Sequence, residues 1–412
     1  MKVCIITEQY PPSIGGLGSA THRIAKNLAN CGLNIHVIAP GYQSIDVPIT
    51  SVWEDGVVVH RTFPALFSFY GDPVELRDIG AYAVQLHKEV DFDLFHGMFL
   101  IPSGLVAATT AKEVERPFIA SIRGSDLERM CYSPMVSSSM RWVLEQANFV
   151  TSVNHNLLEK AQKLTAIQNG CAIHNAFDPS VFNHSDILTI AKEMGWRSRM
   201  LVKNFLTAKS KGGPVIGTVG NIRHVKGFSF LLEAFKNIES IYPDAYLILV
   251  GDFSDPETGK KYLKQIKKLG LKRRVFITGQ VPHSHILAWL KEMDVFVLPS
   301  LYEGSPNALL EAMGCGRAIV ASDIGGVSDV LEDHKEGLLV PPGQAEALTY
   351  ALEEVIQNED LQRQLCEAAK NKAETVLSPQ QEVETWLEIY RRFIDGDREQ
   401  SVETNMDLIA YS

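Results

Sequence analysis

Short runs of apolar residues alternate along this chain with longer segments of helical periodicity. Such runs are typical of buried strands, and apolar positions three to four residues apart indicate amphipathic helices. In the first half, the pattern predicts strands over residues 2–7, 34–39, 57–60, 94–95, 118–122 and 149–153. It predicts helices over 19–31 and 134–147, and it places segment 57–60 at the edge of the sheet. Because strands that alternate with helices build parallel sheets, a doubly wound domain is expected.

The alternation restarts after residue 213. Strands are predicted over residues 215–219, 245–250, 275–278, 295–298, 318–321 and 337–340. Helices are predicted over residues 228–242, 260–269, 344–357, 361–375 and 382–393. The basic segment 195–213 ends in Gly-Gly-Pro and is interpreted as a linker, part of which could be helical.

These patterns predict an α/β fold class with two doubly wound, Rossmann-like domains facing across a cleft. Ligands of such sheets bind at the carboxyl ends of the strands, so the cleft is the expected site. The predicted boundaries are a first domain over 1–195, a linker over 196–213, a second domain over 214–377, a helix over 378–396 and a tail over 397–412.

The composition narrows the function. The 412 residues carry a formal net charge of −10, which argues against nucleic-acid binding. No apolar run approaches the ~20 residues that a membrane span needs. Six cysteines without a Cys-x-x-Cys pair predict reduced thiols in a cytoplasmic protein and no zinc site. The basic linker would suit a peripheral contact with the inner face of a membrane, and a solvated hinge is the alternative.

The segment 295–316 holds the most distinctive chemistry. A strand is followed by a loop and a helix, for which Ser305 is the predicted N-cap and Pro306 the first helical residue. The unpaired N–H groups and the dipole of such a helix start favour an anion. Glu303 precedes this anion site, and Glu311 lies more than one turn inside the helix. Two carboxylates around a phosphate site suit a nucleotide-sugar, although ordinary helix capping could use the same residues.

Glycines fill the first strand-to-helix loop at Gly15, Gly16 and Gly18, where they would let the backbone approach a ligand closely. A nicotinamide-binding loop needs an acidic residue near the end of the second strand, but Pro40 and Gly41 stand there. A nicotinamide cofactor is therefore not expected. A tight turn without a ligand is the alternative.

Other polar residues follow strands of both halves. Arg223 and Lys226 lie where they could neutralise a diphosphate, although a solvated surface pair is the simpler interpretation. His96, Arg123 and Asp126 follow strands of the first half and could face the same cleft, although a histidine at a strand end is more often structural. Two further histidines, at positions 283 and 285, are interpreted as a solvated helix cap. None of these residues indicates a metal site.

Taken in order, the motifs resemble those of the retaining nucleotide-sugar glycosyltransferases of the GT-B fold, family 4 (glycosyl transferases group 1). The long pattern Pro-Ser-x-x-Glu-Gly-x-Pro-Asn-x-x-x-Glu-Ala-Met-x-x-Gly over residues 299–316 is similar to that family's signature. Ala-Ser-Asp-Ile-Gly-Gly at 321–326 and Gly-Leu-Leu-Val-Pro-Pro at 337–342 add to it. The resemblance covers nearly the whole chain.

The resemblance implies a role for each motif. Glu303 would contact hydroxyls of the donor sugar, and Glu311 would contact those of the ribose. The last helix would cross back onto the first domain. The implied donor-binding residues are Gly15, Gly16, Gly18, Arg223, Lys226, Glu303, Gly304, Ser305, Asn307, Ala308, Leu309 and Glu311, with backbone N–H groups near 307–309 on the phosphates. The candidate catalytic residues are Lys226, Arg223, Glu303, Arg123, Asp126 and His96.

The chain departs from the family pattern at two positions. Asn221 stands directly after Val-Gly, where the family often has an arginine, and Arg223 follows two residues later. Arg123 stands where many members have a catalytic-site histidine. An arginine stays protonated and cannot act as a base, but it could bind a phosphate or an acidic acceptor.

The implied activity is transfer of a hexose from a nucleoside-diphosphate sugar to an acceptor hydroxyl, with retained anomeric configuration. UDP-sugars are favoured as donors and GDP-sugars come next. The acceptor would be a sugar, a glycan or a lipid-linked glycan in polysaccharide or glycoconjugate synthesis, and no cofactor or metal is implied. The alternatives are a nucleotide-sugar 2-epimerase, a sugar phosphorylase of the same architecture, and a non-catalytic glycosyltransferase-like subunit.

Overall fold

A computed structural model describes residues 1–12, 15–41, 49–62, 73–130, 132–182, 186–193 and 196–395. Within these residues, two separate sheets are formed, and each has an apolar core on both of its faces. The predicted fold class, α/β with two doubly wound domains, is confirmed. The predicted tail over 397–412 lies outside the described residues.

The first sheet has eight strands in the order β3-β4-β2-β1-β5-β6-β7-β8. Their bounds are β1 (Lys2–Ile6), β2 (Asn34–Pro40), β3 (Thr50–Glu54), β4 (Val57–Thr62), β5 (Leu94–Gly97), β6 (Phe118–Ile122), β7 (Phe149–Ser152) and β8 (Gly170–Ala172). All neighbours are parallel except β3 and β4. The predicted strand over 57–60 is present as β4, but its predicted edge position is wrong, because β4 lies between β2 and β3. The edge strand β3 is largely exposed and carries too few buried side chains to show an apolar run.

Helices cover the faces of this sheet and lead into the second domain. They are α1 (Gly16–Asn30), α2 (Pro73–Val90), α3 (Leu105–Glu113), α4 (Ser125–Met130), α5 (Pro134–Gln146), α6 (His155–Leu164), α7 (Ile187–Glu193) and α8 (Trp196–Lys209). Helix α8 occupies most of the segment interpreted as a linker. Its Val202 and Phe205 are buried in the same core cluster as Val215 of the second sheet, so the helix packs as part of that core.

The second sheet has six strands in the order β11-β10-β9-β12-β13-β14. Their bounds are β9 (Val215–Val219), β10 (Tyr246–Val250), β11 (Val275–Ile277), β12 (Val295–Leu298), β13 (Ala318–Ser322) and β14 (Leu338–Val340). All pairs are parallel. The strand order reverses between β9 and β12, and a ligand crevice is expected beyond the carboxyl ends of these two strands.

The helices of the second half end with one that returns to the first domain. They are α9 (Phe228–Ile241), α10 (Pro256–Lys268), α11 (Ile286–Leu290), α12 (Asn307–Gly314), α13 (Gly325–Ser328), α14 (Ala345–Gln357), α15 (Glu359–Thr375) and α16 (Pro379–Asp395). Arg23 of α1 donates two hydrogen bonds of 2.8 Å to Glu382 of α16. Trp386 and Tyr390 are buried in the core of the first sheet, which fixes the helix there. In the described part of the chain, no helix has the length and apolar character to cross a membrane.

Candidate active site

The loop after β12 and the start of α12 form the centre of the site. The helix begins at Asn307, with Pro306 at the N-cap position and no side-chain cap. The prediction of Ser305 as N-cap and Pro306 as first helical residue is therefore wrong by one position. The helix ends at Gly314, and Gly316 follows in the left-handed conformation with φ 63°.

Two N–H groups at this helix start are open. In the described part of the chain, neither the N–H of Asn307 nor that of Ala308 donates a hydrogen bond. The N–H of Leu309, which was expected to take part, donates instead to the carbonyl of Pro306 at 2.9 Å. The helix start therefore offers two open backbone donors for an anion, at Asn307 and Ala308.

Glu303 and Lys226 meet at the reversal point of the second sheet. Lys226 Nζ is 2.5 Å from Glu303 Oε1, and the hydroxyl of Ser300 donates to the same oxygen at 2.7 Å. Lys226 follows β9 and Glu303 follows β12, so the two adjacent strands bring them together. Both contacts use Oε1, and among the described residues Oε2 has no hydrogen-bond partner.

Glu311 lies deeper and is paired with His283, one of the two histidines interpreted as a helix cap. His283 Nε2 is 2.7 Å from Glu311 Oε1. This hydrogen bond raises the pKa of His283, although burial opposes the shift. His283 is half exposed and opens a short helical turn, as a solvated cap would, but that interpretation does not include its pairing with Glu311. A cavity of about 190 Å³ adjoins the pair and is lined by residues of both domains, including His22, Lys26, His283, Asn307 and Glu311.

The first domain reaches this site through glycine backbone. A Cβ added to Gly16 would lie 3.1 Å from the side-chain nitrogen of Asn307. A Cβ added to Gly124, which has φ 123°, would lie 3.3 Å from Cα of Gly304. Only glycine allows these two backbone approaches without displacement of a neighbour. Of the other two glycines in the first loop, Gly15 faces the side chain of Gln9, and Gly18 is buried within α1.

Two asparagines that the sequence did not single out cross the cleft. Asn154 donates to the carbonyl of Gly304 at 2.6 Å, and Asn175 donates to Asn307 Oδ1 at 2.8 Å. Each follows a strand of the first sheet, as the predicted residues do, but no motif marks either one. Their partners are distant in sequence, so only the fold reveals their position.

Arg123 and Asp126 form hydrogen bonds that position other first-domain groups beside the cleft. Arg123 donates to Asn175 Oδ1 at 2.7 Å, and burial lowers the pKa of Arg123 to about 10, so the guanidinium stays charged. Asp126 is fully buried and accepts hydrogen bonds from the N–H groups of Leu100, Arg123 and Gly124. Its carboxylate therefore holds the backbone beside the cleft. The pKa of Asp126 is raised by burial.

His96 lies apart from these residues. It is fully buried, and its ring nitrogens are 2.7 Å from the hydroxyls of Tyr390 and Ser121. Burial lowers the pKa of His96 to about 3, so the ring is neutral. The histidine connects β5 and β6 to the returning helix α16. Arg223, in contrast, is exposed and has no ion-pair partner among the described residues.

One further carboxylic acid of the first domain, Glu8, belongs to no sequence motif. Glu8 follows β1 and accepts a hydrogen bond from the hydroxyl of Ser103 at 2.6 Å. Burial raises the pKa of Glu8 well above its usual range, and the neighbouring charge of Asp126 raises it further. A single glutamate after the first strand is not part of any recognisable motif, so nothing in the sequence marks Glu8 as a buried carboxylic acid.

Two family models match the two halves of the chain. The glycosyl transferase 4-like domain matches residues 15–170, and glycosyl transferases group 1 matches residues 203–372. The chain is a GT-B glycosyltransferase of the group 1, family 4 type. The glycine loop and Asn154 lie in the first of these regions, Asn175 lies between the two, and the Glu303–Glu311 segment lies in the second.

Similar proteins span nearly the same length as this glycosyltransferase. The N-acetyl-alpha-D-glucosaminyl L-malate synthase of Bacillus anthracis is 24% identical over 97% of this chain and 99% of its own. The putative teichuronic acid biosynthesis glycosyltransferase TuaC of Bacillus subtilis is 28% identical over 85% and 88%. The crystal structure of Anabaena HepE in complex with UDP matches with a TM-score of 0.74 and 20% identity, over 95% of this chain and 100% of that one.

Proposed function

We propose that this glycosyltransferase moves a hexose from a nucleoside-diphosphate sugar, with UDP-sugars favoured and GDP-sugars next, to an acceptor hydroxyl with retained anomeric configuration. The observation that carries the proposal is the arrangement around the start of α12. Two open N–H groups stand between two carboxylates, and a lysine contacts one of these carboxylates. Each glutamate keeps one oxygen without a hydrogen bond from the described residues, which suits a hydroxyl of a sugar or a ribose.

The reaction would depend on stabilising the leaving diphosphate. As the bond from the anomeric carbon to the phosphate oxygen breaks, negative charge grows on that oxygen and an oxocarbenium-like centre forms. The N–H groups of Asn307 and Ala308 and the ammonium of Lys226 would stabilise this charge, with Arg223 as an outer cation. The departing phosphate oxygen would take the acceptor proton on the same face of the sugar. None of these steps requires a metal ion.

The nucleoside is expected in the cavity beside Glu311. The cavity is bounded by Glu311 and by α1 of the first domain, and its volume of about 190 Å³ leaves room for part of a nucleoside. The neighbour HepE was crystallised with UDP, which supports UDP as the first nucleotide to test. UDP-, GDP- and ADP-sugars are therefore compared for thermal stabilisation of the wild type and of Glu311→Gln. Stabilisation by one nucleotide that is lost in Glu311→Gln supports the assignment, and equal stabilisation of both proteins contradicts it.

Turnover separates the proposal from its rivals. The selected donor is incubated with sugar acceptors, with and without EDTA, and the anomeric configuration of the product is read by NMR. An α-linked donor should give an α-linked product, and turnover should persist in the presence of EDTA. Conversion of the nucleotide-sugar without acceptor would favour an epimerase, and dependence on inorganic phosphate would favour a phosphorylase. Binding without turnover on any acceptor would favour a non-catalytic subunit.

Arg123 is proposed to contact an anionic group of the acceptor. Its guanidinium donates to Asn175, which in turn contacts Asn307 across the cleft, and among the described residues no carboxylate is within ion-pair distance of it. The Bacillus anthracis relative is named for L-malate, a dicarboxylate. If the proposal holds, Arg123→Gln should raise KM for an acidic acceptor far more than KM for a neutral one. An equal effect on both would overturn it.

A peripheral contact with an anionic membrane is also proposed, but on a different surface from the basic linker. Within α8, Lys209 pairs with Glu292 and Arg199 donates to the carbonyl of Ala191. Residues 260–274 instead contain eight lysines and arginines and no acidic residue. Seven of these cations are exposed and have no ion-pair partner among the described residues: Lys260, Lys261, Lys264, Lys267, Lys268, Lys272 and Arg273. Leu263, which is 52% exposed, lies among them and could enter the lipid interface.

Vesicle binding tests this contact. Sedimentation with phosphatidylglycerol-containing vesicles should exceed sedimentation with phosphatidylcholine alone and should decrease at high salt. Reversal of Lys264, Lys267 and Lys268 to glutamate should reduce binding by at least about tenfold, since each cation near such a surface is worth about 1 kcal/mol. Reversal of Lys203 in α8 is the control. Binding to DNA but not to vesicles would overturn the membrane assignment.

A further inference from the structure

A cluster of two histidines and an aspartate lies at the domain boundary, outside the contacts described so far. His155 begins α6, His174 follows β8, and Asp329 follows α13. Two of the residues therefore come from the first domain and one from the second. One side-chain nitrogen or oxygen of each lies within 4.8 Å of the other two. His155 Nδ1 is 3.3 Å from Asp329 Oδ2, and the two imidazole centroids are 5.7 Å apart.

The chemistry of the cluster suits a zinc-like ion. Ligands about 2.0–2.1 Å from a tetrahedral ion are separated by about 3.3–3.4 Å, which is the separation of the His155 and Asp329 atoms. His174 Nδ1 is 3.1 Å from the carbonyl of Val153, and a carbonyl can only accept, so Nδ1 carries the proton. The neutral ring then has its lone pair on Nε2. A backbone carbonyl that orients a histidine in this way is the usual outer partner of a metal ligand.

The position of the cluster connects it to contacts across the cleft. His155 follows Asn154, which donates to the carbonyl of Gly304 at 2.6 Å. His174 precedes Asn175, which donates to Asn307 at 2.8 Å. Each histidine is therefore a sequence neighbour of an asparagine that contacts the second domain between β12 and the start of α12.

We propose that His155, His174 and Asp329 bind one divalent transition-metal ion of the Zn²⁺ class between the two domains, and that the ion stabilises the arrangement in which the domains are in contact. An arrangement that separates the domains removes one of three ligands and binds the ion more weakly. By linkage, the ion favours the arrangement that binds it better. This site is separate from the glycosyl transfer, in which the ion takes no part.

Metal titration tests the site directly. Co²⁺ is added to the full chain and followed by its visible absorption, and Zn²⁺ affinity is measured by competition with a chromogenic chelator. One equivalent should bind to the wild type, and His155→Gln, His174→Gln and Asp329→Asn should each weaken binding by about tenfold or more. Asp329→Asn keeps an oxygen for the backbone N–H of His155, which donates to Asp329 Oδ2 at 2.6 Å, so this variant is expected to fold. His334→Gln is the matched control, since His334 is also exposed and near an aspartate.

The effect of the ion on the arrangement of the two domains is measured separately. Small-angle scattering with Zn²⁺ and with EDTA should show a smaller radius of gyration with the ion for the wild type but no change for Asp329→Asn. Equal metal affinity of the wild type and all three variants would overturn the site, and the His155–Asp329 contact would then be an ion pair only. Saturable binding without a change in scattering would overturn the effect on the domains.

Discussion

The two sides of the cleft use polar residues that follow strands in different ways. On the second-domain side, Glu303 and Glu311 each receive hydrogen bonds on one oxygen and keep the other open. On the first-domain side, His96 and Asp126 are fully buried, and their hydrogen bonds go to the protein itself. A polar residue at the end of a strand therefore points to ligand binding only when its local contacts leave an atom available. Sequence position alone does not distinguish the two cases.

The largest expected effect is on the second-domain side. Lys226→Ala removes the cation next to Glu303 and should lower kcat by about 10²–10³-fold, because a group that stabilises developing charge contributes mainly in the transition state. Steady-state kinetics with the selected donor and acceptor give the measurement. Lys236→Ala is the control, since Lys236 lies in the same domain but pairs with Glu239 of the same helix, away from Glu303. If Lys226→Ala and the control have the same kcat, Lys226 does not contribute to catalysis. The proposed role of the second-domain side in ligand binding would then be contradicted.

The matching test on the first-domain side concerns stability. His96→Asn removes two hydrogen bonds from a fully buried network and should lower the free energy of unfolding by about 2–3 kcal/mol. If His96 is structural, the kcat of the folded variant at low temperature should equal that of the wild type. Urea unfolding and kinetics on the same preparation decide the matter. A fall in kcat without a loss of stability would place His96 among the catalytic residues instead.

The pH dependence of the unfolding free energy gives a second test of whether His96 is a neutral structural residue. The pKa of His96 is about 3 in the folded protein, against an ordinary value near 6.5. Between these values the unfolded chain binds a proton that the folded chain does not. The stabilising contribution is therefore complete above about pH 6.5 and decreases by about 1.4 kcal/mol per pH unit as the pH falls towards 3. The advantage of about 2–3 kcal/mol of the wild type over His96→Asn should therefore vanish within about two pH units below 6.5 and then reverse, and a constant difference would contradict a neutral buried ring.

Much of the second sheet could be predicted from the sequence. Strands β9 and β12 agree with the predicted bounds because β12 is a continuous buried apolar run and β9 is buried at four of its five positions. The Glu303–Glu311 segment is contiguous, so its chemistry can be read from one stretch of chain. The contacts of Asn154 and Asn175 could not be predicted, because each joins residues more than 100 positions apart. The pairing of His283 with Glu311 was missed for a similar reason, since two separate helices bring the residues together.

The smallest expected effect concerns His283 on the second-domain side, whose pKa shift is opposite in direction to that of His96. The hydrogen bond to Glu311 raises the pKa of His283, whereas burial lowers that of His96. The contribution of a raised pKa is complete below the ordinary value near 6.5 and is lost as the pH rises through the folded-state value. Because the side chain of His283 is half exposed, this contribution should stay below about 1 kcal/mol. The unfolding free energy of the wild type minus that of His283→Gln should therefore be larger at about pH 6 than at about pH 9.

Urea unfolding at both pH values gives the measurement, with His224→Gln as an exposed control from the same domain. The His96→Asn difference should change with pH in the opposite direction. A His283→Gln difference that grows as the pH rises would show that Glu311 does not hold the proton of His283 in place. In that case, the stability contributions of His283 and His96 would change with pH in the same direction. The hydrogen bond from His283 could then not be what holds the Glu311 carboxylate with its open oxygen directed towards a ribose.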